Sequence, residues 1–117
     1  VYMYENGALT WDAPCVTGNV SKNYTTPEGI YSLTYKQTDR VLRGTKRADG
    51  TYEYESHVDY WMPFNGGIGF HDASWRSKFG GTIYQYSGSH GCINLPVDKA
   101  KLLYEKVYKG MPVLCHN

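Results

Sequence analysis

From Tyr52 to Met62 the character of the side chains changes residue by residue, and a run with that period has few ways to fold other than as a strand with one face buried. Even positions read Tyr52, Tyr54, Ser56, Val58, Tyr60 and Met62. Odd positions read Glu53, Glu55, His57, Asp59 and Trp61, so the alternation breaks mainly at Ser56 and Trp61. The even face should meet a core and the odd face water. Immediately upstream, Ala48-Asp49-Gly50-Thr51 carries the Asp-Gly pair that favours a two-residue hairpin turn, which predicts that Val41 to Arg47 pairs with this strand.

The rest of the chain continues in the same manner. Aromatic residues are 15% of the total and twelve of them are tyrosine, a usage that suits pleated, half-buried surfaces better than helix bundles. Further strands are expected at Tyr2 to Tyr4, Ala8 to Asp12, Gly29 to Tyr35, Gly67 to Phe70, Thr82 to Tyr86 and Met111 to Cys115. Thr26-Pro27-Glu28-Gly29 reads as a turn entering a strand, because proline presets one central angle and glycine tolerates the rest. Only one segment has helical period. After Pro96, apolar residues recur at Val97, Ala100, Leu103, Tyr104 and Val107, with Asp98 in the first turn and Gly110 beyond the end. The expected fold is mostly β with one helix at about 96–109, in a single domain over residues 1–117. A chain of this length buries roughly two thirds of its unfolded surface.

Charge and cysteine content narrow the function classes. Lysine and arginine number 12 against 11 acids, so the formal charge of +1 provides no polybasic face for nucleic acid. The three cysteines, Cys15, Cys92 and Cys115, are widely spaced with no C-x-x-C pair, which supports neither a disulfide framework nor a zinc ribbon. Cys15 and Cys115 read as small buried hydrophobes. The sequence opens at Val1 without a leader pattern or an apolar spanning run, so it reads as a domain excised from something longer, with any membrane anchor outside this stretch.

Chemistry concentrates in Ser89-His90-Gly91-Cys92-Ile93-Asn94 and, upstream, in Gly67-Ile68-Gly69-Phe70-His71-Asp72. A thiol with small and polar neighbours, and an imidazole elsewhere to take its proton, are the minimum of a cysteine acyl-transfer enzyme. His71 and Cys92 lie 92 − 71 = 21 positions apart, so two elements must bring them together. Cys92 falls just before the predicted helix, on a tight turn where N–H groups near a helix N-terminus lower a thiol's pKa and hold an oxyanion. Gly91 lets the backbone approach a substrate carbonyl. His71 ends a strand, and Asp72 can orient its ring through either its carboxylate or its main-chain carbonyl, the former only with a bend. His90 can contact substrate, polarise the carbonyl or stabilise the turn. Trp75 and Asn94 are placed to line a cleft, Trp75 being equally suited to the core. His57 and His116 read as solvated. Zinc held by His71, His90 and Cys92 is disfavoured by the tight H-x-C spacing and the lack of a fourth ligand.

These residues resemble the YkuD family of L,D-transpeptidase catalytic domains. The family pattern is a histidine, a gap, then Ser/Thr-His-Gly-Cys-x-Asn/Arg; here it reads His71, a gap from Asp72 to Gly88, then Ser89 to Asn94. Thr26-Pro27-Glu28-Gly29-Ile30-Tyr31, Val16-Thr17-Gly18, and the closing Leu102-Leu103-Tyr104 to Gly110-Met111-Pro112-Val113 are further marks in the family's order. Two departures stand out: part of the family's first strand is missing, and Asp72 follows the histidine where many members have glycine. The resemblance implies a β-sandwich or barrel-like catalytic fold acting outside the cytoplasm, on the cell-wall side of a bacterial membrane. It implies that Cys92 attacks peptidoglycan tetrapeptide stems, that His71 is the base, and that main-chain N–H groups around Gly91 and Cys92 hold the oxyanion; Ser89, Asn94 and Trp75 are the residues expected to contact substrate. It further implies 3→3 cross-links, covalent inhibition by carbapenem β-lactams, and no metal or cofactor. An L,D-carboxypeptidase with water as acceptor, and a wall-binding module without catalysis, are the alternatives.

Overall fold

The computed structural model describes residues 1–44, 46–52 and 54–116, with the side chains of Tyr86 and Ser87 left aside; Thr45 and Glu53, inside the two strands expected to form the hairpin, lie outside the described residues. Among the described residues, eight strands and two helices follow the order β1 (Tyr2–Glu5), β2 (Ala8–Asp12), β3 (Gly29–Ser32), β4 (Gln37–Arg43), β5 (Glu55–Asn65), β6 (Ile68–Asp72), α1 (Ile83–Ser87), β7 (Ile93–Leu95), α2 (Val97–Lys106) and β8 (Pro112–Cys115). They form three sheets, β1-β2, β3-β8 and β4-β5-β6-β7, which do not close into a barrel. The fold is mostly β, as the alternation predicted. No described helix is long and apolar enough to cross a membrane.

The expected hairpin forms, with Gln37 opposite Trp61 and Arg43 opposite Glu55. Its turn is one residue longer than the two-residue class. Arg47 N–H donates to Thr51 O at 2.6 Å, Gly50 N–H donates back to Arg47 O at 3.0 Å, and Gly50 takes φ +90°. Three residues therefore close the loop, with glycine at the left-handed position that such turns require. Along β5 the alternation of burial holds from Glu55 to Tyr60 and then ends, since Trp61, Met62, Pro63 and Phe64 are all buried. At that end the sheet is covered on both faces: Met62 and Phe64 join the main core with Leu33, Leu95, Ala100 and Leu103, while Trp61 packs with Val58 and Cys92 in a second cluster.

Helix α2 begins one residue after Pro96, carries Asp98 in its first turn and Lys106 in its last, and buries Ala100 and Leu103 against β5 and β6. Those charges match the helix dipole. Leu103 is 3% exposed, and burying a leucine of that kind contributes roughly 1.5–3 kcal/mol.

Two expectations are corrected. Thr82 to Tyr86 is not a strand; Ile83–Ser87 forms the short helix α1, entered through Gly80 and Gly81, both at positive φ. The reason is that the sheet edge beside β6 is taken by β7, which pairs with β6 in parallel, Phe70 with Ile93, His71 with Asn94 and Asp72 with Leu95. Without a ladder to join, residues 83–87 satisfy their backbone by coiling, and the Tyr84 and Gln85 carbonyls accept N–H bonds from Val20 and Ser21. Second, β7 separates Cys92 from α2, so the thiol does not stand at a helix N-terminus.

Candidate active site

Strands β6 and β7 bring the predicted residues together. His71 and Asn94 are direct partners in the parallel ladder, and Cys92 is the residue immediately before β7, so the imidazole lies on one strand and the thiol at the entrance to its neighbour. Both line a cavity of about 250 Å³, together with Trp75, Ser89, His90, Asn94, Arg76 and Tyr54. A larger cavity of about 560 Å³ lies at Val1, Cys15, Gly80 and Tyr84, and none of its described lining residues is histidine. Among the described residues no three histidine, cysteine, aspartate or glutamate side chains converge in the manner of a metal site.

The Cys92 turn is held from several directions. Ser89 Oγ donates to Cys92 O at 2.5 Å and accepts the Gly91 N–H at 3.2 Å, while Ser89 N–H donates to Thr17 O at 2.9 Å. The serine hydroxyl thus serves the turn's own backbone, and the Gly91 N–H, expected to face an oxyanion, is directed to that hydroxyl. Gly91 sits at φ +122°, where a side chain would be strained. Its carbonyl accepts from Thr26 Oγ1 at 2.6 Å, and the same hydroxyl accepts the Gly18 N–H at 3.0 Å. This is the physical content of the Thr26-Pro27 segment: one hydroxyl ties two loops behind the thiol. Gly18 has no room for a side chain, since a Cβ there would stand 1.7 Å from Tyr24 O.

His71 is 4% exposed and Asp72 is 2% exposed. The His71 Nδ1–H donates to the main-chain carbonyl of Asp72 at 2.7 Å, which makes Nε2 the acceptor nitrogen. Of the two routes open to Asp72, the structure takes the carbonyl. Its carboxylate points elsewhere, accepting the Asp59 N–H at 3.1 Å and the Tyr60 N–H at 2.8 Å, as strand geometry demands when neighbours face opposite ways. The imidazole is flanked by the rings of Trp61 at 6.0 Å and Trp75 at 5.9 Å. Trp75, half exposed, lines the cleft and is not a core residue.

Burial sets the resting protonation of the pair. It lowers the pKa of His71 below the usual histidine value, against the Asp72 carbonyl bond and carboxylate, which raise it. Burial raises the Cys92 thiol, with the Gly69 main chain working the other way, and Sγ donates to Gly67 O at 3.4 Å. The sequence-level expectation of a depressed thiol pKa is therefore reversed. Both shifts favour the uncharged forms, a thiol and a neutral imidazole, in the one cavity that the two residues line.

The remaining predicted residues divide in two. His90 is stacked on Tyr24 at 4.4 Å and meets Tyr54 edge-on at 4.7 Å, so it joins the thiol turn to the hairpin wall of the cavity. Asn94 is 2% exposed and lines the cavity, and its Oδ1 has no hydrogen-bond partner among the described residues. Sequence reasoning missed Arg76 and Tyr54. Tyr54 stood on the face assigned to the core, and Arg76 carried only its nearness to His71 as a signal. His57 is solvated as expected.

With fold and site in place, the comparisons are consistent with one another. A family profile for the L,D-transpeptidase catalytic domain matches residues 1–115, and the chain belongs to that family. Among solved structures, an Enterococcus faecium L,D-transpeptidase carrying a cysteine-to-serine mutation is 38% identical over 97% of this chain and 44% of its own, with a TM-score of 0.85. The catalytic domain of an E. faecium L,D-transpeptidase acylated by ertapenem is 40% identical over 98% of this chain and 87% of its own, at 0.81. A Mycobacterium tuberculosis L,D-transpeptidase 3 with a faropenem-derived adduct is 26% identical over 100% of this chain and 48% of its own, at 0.75. The chain thus spans less than half the length of several of the proteins it resembles. No curated protein matches it.

Proposed function

We propose that this domain is a cysteine acyltransferase that cross-links peptidoglycan on the cell-wall side of a bacterial membrane. The observation that carries this reading is the His71 Nδ1 bond to the Asp72 carbonyl, which makes Nε2 the acceptor nitrogen in the cavity that Cys92 lines. As a tetrapeptide stem binds, Cys92 Sγ gives its proton to His71 Nε2 and attacks the carbonyl between the third residue and the terminal D-alanine. The main-chain N–H of Cys92 is the oxyanion donor from this turn, the Gly91 N–H being directed to Ser89. His71 then protonates the departing amine as the C–N bond breaks, leaving a thioester on Cys92. An amine from a second stem attacks that thioester, its proton passes through His71 to the sulfur, and a 3→3 cross-link results. Trp75, His90 and Asn94 form the cleft walls, while Ser89 and Gly91 shape the turn.

Burial disfavours both the thiolate and the imidazolium, so in this reading proton transfer and attack are coupled and the sulfur stays a thiol until a carbonyl is in place. The same thiol would take the acyl group of a carbapenem, as the ertapenem-acylated E. faecium domain does of its own chain. Two measurements test this. Intact-mass analysis after meropenem should give one adduct, mapped to the Cys92 peptide and absent in Cys92→Ala. Purified disaccharide tetrapeptides should give cross-linked dimers. Tripeptide alone would establish a carboxypeptidase instead, and no adduct with undiminished muropeptide binding by Cys92→Ala would establish a binding module.

A further inference from the structure

The side chain of Asn94 is 2% exposed and lines the catalytic cavity, yet its Oδ1 has no hydrogen-bond partner among the described residues. A buried acceptor in that condition is uncommon, because it forfeits a bond that water would have supplied. The backbone offers no slack to relieve it. Asn94 N–H donates to Val16 O at 2.8 Å and Asn94 O accepts from Val16 N–H at 3.0 Å, which pins β7 on one side, while β6 holds it on the other with His71 as the direct partner. Residues opposite one another in a ladder share a face of the sheet, their main chains about 4.8 Å apart. The Asn94 carboxamide therefore stands beside the imidazole, in the cavity that Cys92 also lines.

The reaction brings a donor to that place. A scissile amide carries one N–H, and it sits on the nitrogen that His71 must reach in order to protonate the departing amine. An acceptor beside His71 is thus beside that nitrogen. We propose that Asn94 is a catalytic residue whose Oδ1 accepts this N–H: as the C–N bond breaks, the nitrogen takes a new proton from His71 and keeps its own hydrogen directed at Asn94. Turning the carboxamide about Cβ–Cγ presents the oxygen to the cavity and breaks no hydrogen bond at Oδ1. With its N–H fixed in this way, the nitrogen lone pair that develops after attack is aimed at the imidazolium. The amine of the second stem retraces the path, giving one hydrogen to His71 and resting another on Asn94. This rests on the acyltransferase reading above and adds to it the group that orients the amide nitrogen. A carbapenem escapes that group, since its ring nitrogen bears no hydrogen.

The test compares three acyl donors: a disaccharide tetrapeptide, the same stem ending in D-lactate, whose scissile ester has no N–H, and meropenem. Asn94→Leu keeps the bulk and removes the acceptor. Its kcat/KM for the tetrapeptide should fall about tenfold further than its kcat/KM for the ester or its rate of acylation by meropenem, the size of one hydrogen bond to a buried acceptor. Asn94→Ser, which returns an oxygen, should recover part of that excess. A structural role would slow all three donors alike. Equal losses on amide, ester and β-lactam would overturn the assignment while leaving the acyltransferase intact. Should Asn94→Leu not fold, NMR of Cys92→Ala with isotope-labelled asparagine decides: the Asn94 Cγ resonance should move further on binding the tetrapeptide than on binding the ester, and equal shifts would overturn the proposal. Failure of wild type to turn over the tetrapeptide, with no meropenem adduct on Cys92, would instead remove the reaction itself and this role with it.

Discussion

Two histidines on neighbouring strands, each with an aspartate close by, have been given opposite properties. His57 on β5 is exposed, and its ring meets Asp39 Oδ1 at 2.5 Å and Asp59 Oδ1 at 3.9 Å. The Asp39 bond raises its pKa above the usual value. His71 on β6 is buried, and its pKa is lowered although Asp72 is adjacent in sequence. The difference lies in which part of the aspartate reaches the ring. At His57 it is a carboxylate, which favours imidazolium. At His71 it is a neutral carbonyl, which orients the ring while burial disfavours the charge. A proton acceptor is made by the second arrangement and spoiled by the first.

The largest effect that can break this comparison is on turnover. His71→Ala should lower turnover by about 10²–10⁴-fold, the usual worth of a positioned base. His57→Ala should leave it within a factor of two. Steady-state formation of cross-linked product by the two variants checks both at once, and retention of most activity in His71→Ala would refute the assigned base.

A smaller effect separates the two ends of Asp72. Since the carbonyl and not the carboxylate orients His71, Asp72→Asn should keep the imidazole in place and the turnover near that of wild type. Its cost should appear in stability. The buried carboxylate accepts two main-chain N–H groups, and an amide can accept only one while turning its NH₂ toward the other. One buried N–H left unsatisfied costs about 1–3 kcal/mol. Urea unfolding measures this, and a variant of full stability with little activity would show that the carboxylate does the orienting after all.

That distinction also marks where the sequence is informative. The His71 and Cys92 signals were legible because their chemistry is written in residue types, and β5 was legible over Glu55 to Tyr60 because one face there meets water. From Trp61 onward both faces are covered, and a strand buried on both sides has no alternation to detect. β7 hides for a different reason: three residues, Ile93 to Leu95, are too few to display a period, and they lie inside the catalytic motif. Its absence from the expectation carried two errors with it, the strand assigned to residues 82–86 and the helix N-terminus assigned to Cys92. Arg76 was illegible because a lone arginine after a strand is ordinary until the fold closes a cavity around it.

The smallest effect is on pH dependence, and there the two histidines should slope in opposite directions. A protein whose His71 resists protonation binds fewer protons when folded than when unfolded. Stability drawn from His71 is thus full above the unfolded value of about 6.5 and is lost as pH falls through the lower folded pKa. His57 has the reverse sign: its contribution is full below about 6.5 and lost as pH rises through the higher folded pKa. Acylation by a carbapenem should follow His71 alone, with its acid limb displaced below 6.5, because protonated imidazole cannot take the thiol proton. Ring-proton NMR of the two histidines, read beside the pH profile of meropenem acylation, tests this directly. If the acylation limb coincides with the His57 midpoint, or if His71 titrates above 6.5, burial does not hold the base neutral and the coupling of proton transfer to attack must be abandoned.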